Sequence, residues 1–131
     1  MDFETEIKEL YFNYGWCCNK KIIFLGKEND IQVVFDAYTE DEKINSIQKK
    51  SFIEFYSKKE EFSILTIKEI DKYIQIYVDG EYTIDDILIK EIFIKQDGKL
   101  ILLCEVSWDI ENGLGIQLKP DFEIGPQDTF I

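Results

Sequence analysis

Two acidic residues closely follow a tryptophan in the stretch 106–116, which reads VSWDIENGLGI. Asp109 and Glu111 are spaced so that their carboxylates could exchange protons with a substrate or bind a hard cation. Asp121 and Asp128 are further candidates for such a cation site. The spacing of these four acids does not match an EF-hand calcium loop, so we expect neither a metal nor another cofactor.

The chain lacks His and Arg, two residue types that many catalytic and ligand-binding sites need. It contains no His, and all fifteen of its basic residues are Lys. Without imidazole, nucleophilic sites of the Ser/His/Asp and Cys/His kinds and most zinc sites are excluded. Without Arg, bidentate recognition of phosphate is excluded as well. The sequence therefore favours a binding protein over an enzyme.

The net charge of −12 is concentrated in the C-terminal part of the chain. Residues 79–131 contain 12 acidic residues and 4 Lys, a net charge of −8. Direct binding to nucleic acid or to an anionic membrane is not expected, because both need clustered cations. A basic protein is the complementary partner, although the same charge could serve only solubility. The candidate contact residues are Asp79, Glu81, Asp85, Asp86, Asp109, Glu111, Asp121, Glu123 and Asp128.

Length and composition predict one domain over residues 1–131 in the cytosol. No run approaches the roughly 18 apolar residues of a membrane span, and the acidic N-terminal sequence does not match a secretory signal. Three Cys residues are an odd number, and Cys17 and Cys18 are adjacent, which argues against a disulfide framework. We expect the thiols to be reduced and mostly buried.

The N-terminal half predicts a strand pair followed by two helices. Residues 20–26 and 31–37 are rich in β-branched and aromatic side chains, and the polar KEND segment between them indicates the turn of a hairpin. Apolar residues then recur at helical spacing over residues 44–58 and again over residues 64–77. We expect two antiparallel helices whose apolar faces belong to the core.

Capping residues predict where these helices begin and end. Thr39 or Asp41 is expected to cap the first helix, and Ser63 or Thr66 is expected to begin the second. Asp79-Gly80 is expected to end the second helix, which leaves a connection near residues 58–62.

The C-terminal half predicts a helical turn and then antiparallel strands. Thr83 is expected to cap a turn over residues 83–89, and a hairpin is expected to join residues 91–95 to 100–108. The predicted class is therefore α+β, with a sheet packed on the two helices.

Alternation along residues 100–108 predicts how the strand containing Trp108 pairs with the next strand. An odd number of loop residues within 109–115 would place Ile116 opposite Trp108 and Leu118 opposite Val106. All four side chains would then lie on one buried face, so Trp108 is expected in the core rather than in a ligand platform.

Four residues define the predicted motif around this loop: Trp108, Asn112, Gly113 and Gly115. Asn112 or Gly113 is expected to adopt a left-handed conformation. Gly115 is expected opposite Asp109, where it would leave space for a partner or a water molecule beside the carboxylate.

The segment SWDIENGLGIQL and the later EIGPQD (residues 123–128) resemble a small bacterial family known only as a domain of unknown function. Its signature reads W-D-x-E-H-G-L-x-[V/I], with a closing G-x-x-D element. Upstream, the strand pair and helix pair also resemble that family, so the similarity covers roughly residues 20–131. The resemblance implies a toxin-immunity role, and Asn112 stands where the family usually has His.

Three functions follow as hypotheses. The first is an immunity-type inhibitor whose acidic C-terminal half neutralises a basic toxin, which agrees with both charge and resemblance. The second is a mimic of nucleic acid that blocks a defence protein or a nucleic-acid-binding protein, although the acids alternate with Lys on the helices. The third is an enzyme that uses Asp109 and Glu111 as acid and base, which is least favoured because both lie on one turn.

Overall fold

The computed structural model describes residues 2–131, in which helices lie between strands along the chain. The elements are α1 (Phe3–Glu6), β1 (Tyr11–Phe12), β2 (Trp16–Phe24), β3 (Lys27–Phe35), α2 (Ser46–Ser57), α3 (Lys59–Tyr77), β4 (Ile87–Ile94), β5 (Leu100–Val106), β6 (Leu114–Lys119) and β7 (Glu123–Gly125). Short 3₁₀ turns cover Ile84–Asp86 and Gln127–Thr129.

The seven strands form one sheet whose spatial order is the same as the chain order. All neighbouring strands are antiparallel except β3 and β4, which are parallel. Parallel neighbours need a long crossover, and α2 with α3 provides it. The predicted α+β class is confirmed. The sequence did not indicate that the helices interrupt a single sheet built from both halves of the chain.

The main core lies between the helices and one side of the sheet. Phe52 and Phe55 of α2 are fully buried, and their rings lie 6.0 Å from Phe35 and 5.5 Å from Phe24 respectively. Burial of each such ring contributes roughly 1.5–3 kcal/mol. The helical spacing of Phe52 and Phe55 thus correctly predicted the buried side of α2.

The first hairpin is present, but its predicted turn is wrong. The KEND segment, Lys27–Asp30, belongs to β3, and the turn consists of Leu25 and Gly26 with φ of 56° and 74°. Asn29 explains why a polar segment continues the strand. Its Nδ2 donates to the carbonyls of Ile22 and Phe24, both at 3.1 Å.

The predicted N-caps of both long helices are also wrong. The Asn45 side chain caps α2 by accepting a 2.8 Å hydrogen bond from the backbone amide of Gln48. The Gln48 side chain in turn accepts a hydrogen bond from the backbone amide of Asn45. The helix begins at Ser46, beyond both Thr39 and Asp41. An apolar stripe predicts which face of a helix is buried, but it does not predict which side chain bonds to the first backbone amides of the helix.

The second long helix begins earlier than its apolar stripe. Only Lys58 separates α2 from α3, so the predicted connection over residues 58–62 is too long. Instead of starting the helix, Ser63 accepts a hydrogen bond from the Leu25 amide, and Thr66 donates to the Phe62 carbonyl.

The side of the sheet away from α2 and α3 is partly covered by the C-terminal residues. Phe130 is buried there in a small cluster with Ile101 and Leu103. Gly115 lies beneath its ring, because an added Cβ at this glycine would stand 2.9 Å from Phe130 Cε2 and closer still to Cδ2. The uncovered part of this sheet side is called the open face below.

Within residues 2–131, none of the helices combines the length and apolar character needed to cross a bilayer.

Candidate functional site

The acidic loop after β5 lies beside the turn that precedes β4. Ser107 donates its amide to the Asp86 carbonyl at 3.1 Å, which joins the two segments. Thr83 caps the turn as predicted, and the Asp86 carboxylate accepts a hydrogen bond from the Thr83 amide. The turn covers only Ile84–Asp86, however, because Ile87 already begins β4.

Trp108 holds the loop against the protein body. It is partly buried, contacts the main core, and packs on Tyr82 with 5.6 Å between ring centroids. Tyr82 follows Asp79 and Glu81, so this contact brings the segment after α3 next to the acidic loop.

The strand register predicted for Trp108 is wrong. Ile116 lies opposite Leu102, and β5 and β6 pair only as far as Cys104 and Leu114. Nine residues, 105–113, therefore connect the last paired positions. This number is odd as predicted, but the loop is longer because Trp108 packs beyond the end of the ladder.

The predicted buried face is confirmed, because Val106, Ile116 and Leu118 lie in the main core and Trp108 packs against it. Leu118 nevertheless does not lie opposite Val106. It is buried in the main core, at the irregularity where β5–β6 pairing shifts between Leu100 and Ile101. Val106 instead lies opposite Ile87 of β4.

Asp109 organises the loop through hydrogen bonds. Its carboxylate accepts from the amide of Asn112 at 3.2 Å and from Asn112 Nδ2 at 3.1 Å, and its carbonyl accepts from the Gly113 amide. Gly113 is left-handed, with φ of 64°, whereas Asn112 is not among the positive-φ residues. Asn112 therefore contributes a side-chain bond rather than an unusual backbone conformation.

Gly115 does not lie opposite Asp109, so its missing side chain does not leave space beside that carboxylate. It pairs with Leu103 on one side and Gly125 on the other. Its missing side chain makes room for Phe130.

The predicted contact acids divide between two ends of the sheet. Asp85, Asp86, Asp109 and Glu111 lie at the end formed by the start of β4 and the loop after β5. Asp128 follows Gln127, which lies against Gly113 at this same end.

Asp121 and Glu123 lie towards the other end of β6. Gln117 donates to the carbonyl of Asp121 at 3.0 Å and pairs with Glu123 in the sheet. Lys119 at that end forms an ion pair with Glu54 of α2.

Glu105 is an acid of this end that the sequence reasoning did not select. It is exposed and lines a groove of about 700 Å³ together with Asp85, Asp86 and the side chains of Leu88 and Ile110. Ile110 is 85% exposed. The alternation of β5 already placed Glu105 away from the core and could have identified it.

We define the acidic rim as Asp85, Asp86, Glu105, Asp109 and Glu111. Within residues 2–131 none of them forms an ion pair, whereas Asp30 and Glu54 elsewhere pair with Lys. Lys27 lines the groove, and its ammonium donates to the Ile87 carbonyl at 2.7 Å.

Glu91 is the second acid that the sequence reasoning missed. It lies on the open face between Gln32 of β3 and Leu103 of β5. Burial raises its pKa above the ordinary value of 4.5. Its position in the middle of the sheet follows from pairing with distant strands, which local patterns do not reveal.

The remaining reactive groups do not form a metal or thiol centre in the described part of the chain. No group of three or more acidic, Cys or His residues in 2–131 is arranged to hold a metal ion. All three Cys are buried without disulfides, and burial raises the pKa of Cys18 to about 11 and that of Cys104 to about 12. These thiols are therefore protonated at neutral pH.

The architecture is that of a small α+β protein with one mostly antiparallel seven-stranded sheet. The chain belongs to the family described as Domain of unknown function (DUF6985), whose model matches residues 6–131. Comparison with curated proteins and with solved structures gave no significant match.

Proposed function

We propose that this protein is a non-enzymatic binding protein whose acidic rim recognises a basic surface on a partner protein. The observation that carries the proposal is the gathering of five acids at one end of the sheet without an internal ion pair among residues 2–131. Carboxylates whose charge is not neutralised by an internal cation keep their attraction for a cationic partner. Such complementarity accelerates association and excludes partners of like charge.

Two apolar side chains beside the acids support a protein partner. Ile110 is 85% exposed and Leu88 is 46% exposed on the same groove. Apolar side chains among charges can anchor an interface when a partner excludes water from them. A solubilising charge would not need an exposed isoleucine at the tip of a loop fixed by Asp109 and Trp108.

The class of partner that we propose is a toxin, so that the protein acts as an immunity-type inhibitor in the cytoplasm. The resemblance of SWDIENGLGIQL to a family of unknown function whose members are suspected to be toxin-immunity proteins supports this step, as does the excess of negative charge. Asn112, which stands where the resembling sequences usually have His, donates a hydrogen bond to Asp109, and this bond supports a structural role for the position.

The test is to isolate the partner with the tagged protein from its native host and to measure the affinity with two matched double variants. Asp85→Lys with Glu111→Lys reverses two rim charges whose side chains are not needed for the loop hydrogen bonds. Asp121→Lys with Glu123→Lys makes the same charge change at the other end of the sheet.

We expect the rim pair to weaken binding at least about tenfold, and the control pair to change it less than about threefold. Ile110→Ser should also weaken binding without loss of stability, because the side chain is exposed. Equal effects of the two double variants, or a recovered partner without a basic surface, would refute the proposal.

A further inference from the structure

The open face contains a pocket next to the acidic rim. It has a volume of about 310 Å³ and extends from Glu91 and Leu103 in the sheet to Glu111, Asn112 and Gln127 at its edge. Glu105 also lines it, so the pocket and the groove of the acidic rim are contiguous. The surface therefore continues from the loop onto the sheet.

We infer that this pocket receives an arginine side chain of the basic partner, an inference that rests on the proposed function. Leu103, which is 8% exposed, offers apolar contact to the aliphatic stem of such a side chain. Glu91, Glu105 and Glu111 line the same space and supply negative charge for the head group. Arginine combines an apolar stem with a planar cation, and it loses less hydration than lysine on burial.

Two amide side chains add uncharged acceptors for the several N–H groups of a guanidinium. Asn112 commits its Nδ2 to the Asp109 carboxylate, which leaves its Oδ1 as an acceptor. The second acceptor is the side-chain amide of Gln127 in the C-terminal segment, which Phe130 holds over Gly115. A guanidinium has five donors in one plane, so acceptors on several sides of a pocket suit it better than a single carboxylate does.

Glu91 is the residue that distinguishes this pocket from a merely acidic surface. It is half-buried, and neither an ion pair nor a side-chain hydrogen bond engages its carboxylate within residues 2–131. Lys90 precedes it at a bulge in β4 and lines the pocket, but it is exposed and does not pair with Glu91. An incoming cation would therefore meet a partly desolvated carboxylate without displacing an existing partner.

The test uses a small probe, N-acetyl-arginine amide, and its uncharged analogue N-acetyl-citrulline amide. Each is titrated into the ¹⁵N-labelled full chain, and amide chemical shifts are followed. We expect saturable changes near Glu91, Leu103 and Glu111 with the arginine probe, with a Kd on the order of millimolar. We expect no such changes with the citrulline analogue, which lacks the charge.

Glu91→Gln is the decisive variant, since it preserves shape and removes the charge. It should weaken probe binding at least about fivefold, whereas Asp121→Asn, the matched control away from the pocket, should not change it. Shifts spread evenly over the acidic surface, or equal affinity in wild type and Glu91→Gln, would overturn the inference.

The two proposals fail in distinguishable ways. If the rim double variant weakens the partner complex but Glu91→Gln affects neither partner nor probe, the arginine pocket is refuted and the binding function stands. If the probe binds at Glu91 but the rim double variant does not change the affinity for the partner, the proposed function is refuted instead.

Discussion

Gly115→Ala tests how the C-terminal segment is fixed over the sheet. The glycine has an ordinary strand conformation, so alanine brings no backbone strain, but its Cβ would overlap the edge of the Phe130 ring. Overpacking of a buried site costs about 1–3 kcal/mol. Phe130 is 6% exposed, and truncation of a buried Phe costs about 3–5 kcal/mol. Because the Phe130 ring can move off the sheet, Gly115→Ala cannot cost more unfolding free energy than the complete loss of burial of this ring.

These magnitudes lead to a double-mutant cycle. We expect about 2 kcal/mol for Gly115→Ala, about 3 kcal/mol for Phe130→Ala and about 3 kcal/mol for the double variant, rather than the roughly 5 kcal/mol of independent changes. Urea unfolding followed by tryptophan fluorescence measures each free energy of unfolding. The expected coupling of about 2 kcal/mol arises because the added methyl group is harmless once the ring is gone.

Gly125→Ala is the matched control for this cycle. Gly125 pairs directly with Gly115, yet the nearest atom to an added Cβ, Thr129 Oγ1, lies at an ordinary 3.8 Å. We expect a change below about 0.5 kcal/mol. The packing argument is refuted if Gly115→Ala costs no more than Gly125→Ala, or if its effect simply adds to that of Phe130→Ala.

Three further predictions concern a cap, a turn and a buried acid. Asn45→Ala should lower the free energy of unfolding by about 1–2 kcal/mol, because the capping hydrogen bonds are lost. Thr39→Ala, the control, should lower it by less than about 0.5 kcal/mol. Equal losses in urea unfolding would argue against the cap. Gly113→Ala should lower the free energy of unfolding by at least about 1 kcal/mol more than Gly26→Ala does. Both glycines have positive φ, but only a Cβ at Gly113 would clash, because it would lie 2.7 Å from the Cys104 carbonyl oxygen. Similar losses for the two variants would exclude that clash. Burial raises the pKa of Glu91, so the folded state holds its proton more tightly than the unfolded chain, and stability falls as pH rises from about 4.5 through the folded pKa. Glu91→Gln should therefore stabilise the protein at pH 7, with the gain shrinking by pH 4, and a gain that does not depend on pH would contradict this origin.

Local patterns were sufficient to predict the fold class and several individual features. The spacing of Phe52 and Phe55 identified a buried helix face, and Thr83 was recognised as a cap because capping depends on residues within three positions. The length of β3 was missed because the polar KEND segment is stabilised by Asn29, whose amide binds carbonyls across the hairpin.

The parts of the site that were missed depend on contacts between distant residues. Gly115 was assigned to a space beside Asp109, but its neighbour is Phe130 from the C-terminal segment. Glu91 lies mid-sheet only because the crossover through α2 and α3 pairs β4 with β3. The acids of the loop, by contrast, are close in sequence, so Asp109 and Glu111 could be selected without the fold.

The most direct test of the binding function is the affinity of the isolated partner for the two charge-reversal pairs under the same buffer and salt. We expect the Kd to rise at least about tenfold for Asp85→Lys with Glu111→Lys, and to stay within about threefold for Asp121→Lys with Glu123→Lys. The same Kd for both pairs would show that net charge, and not the acidic rim, determines the interaction.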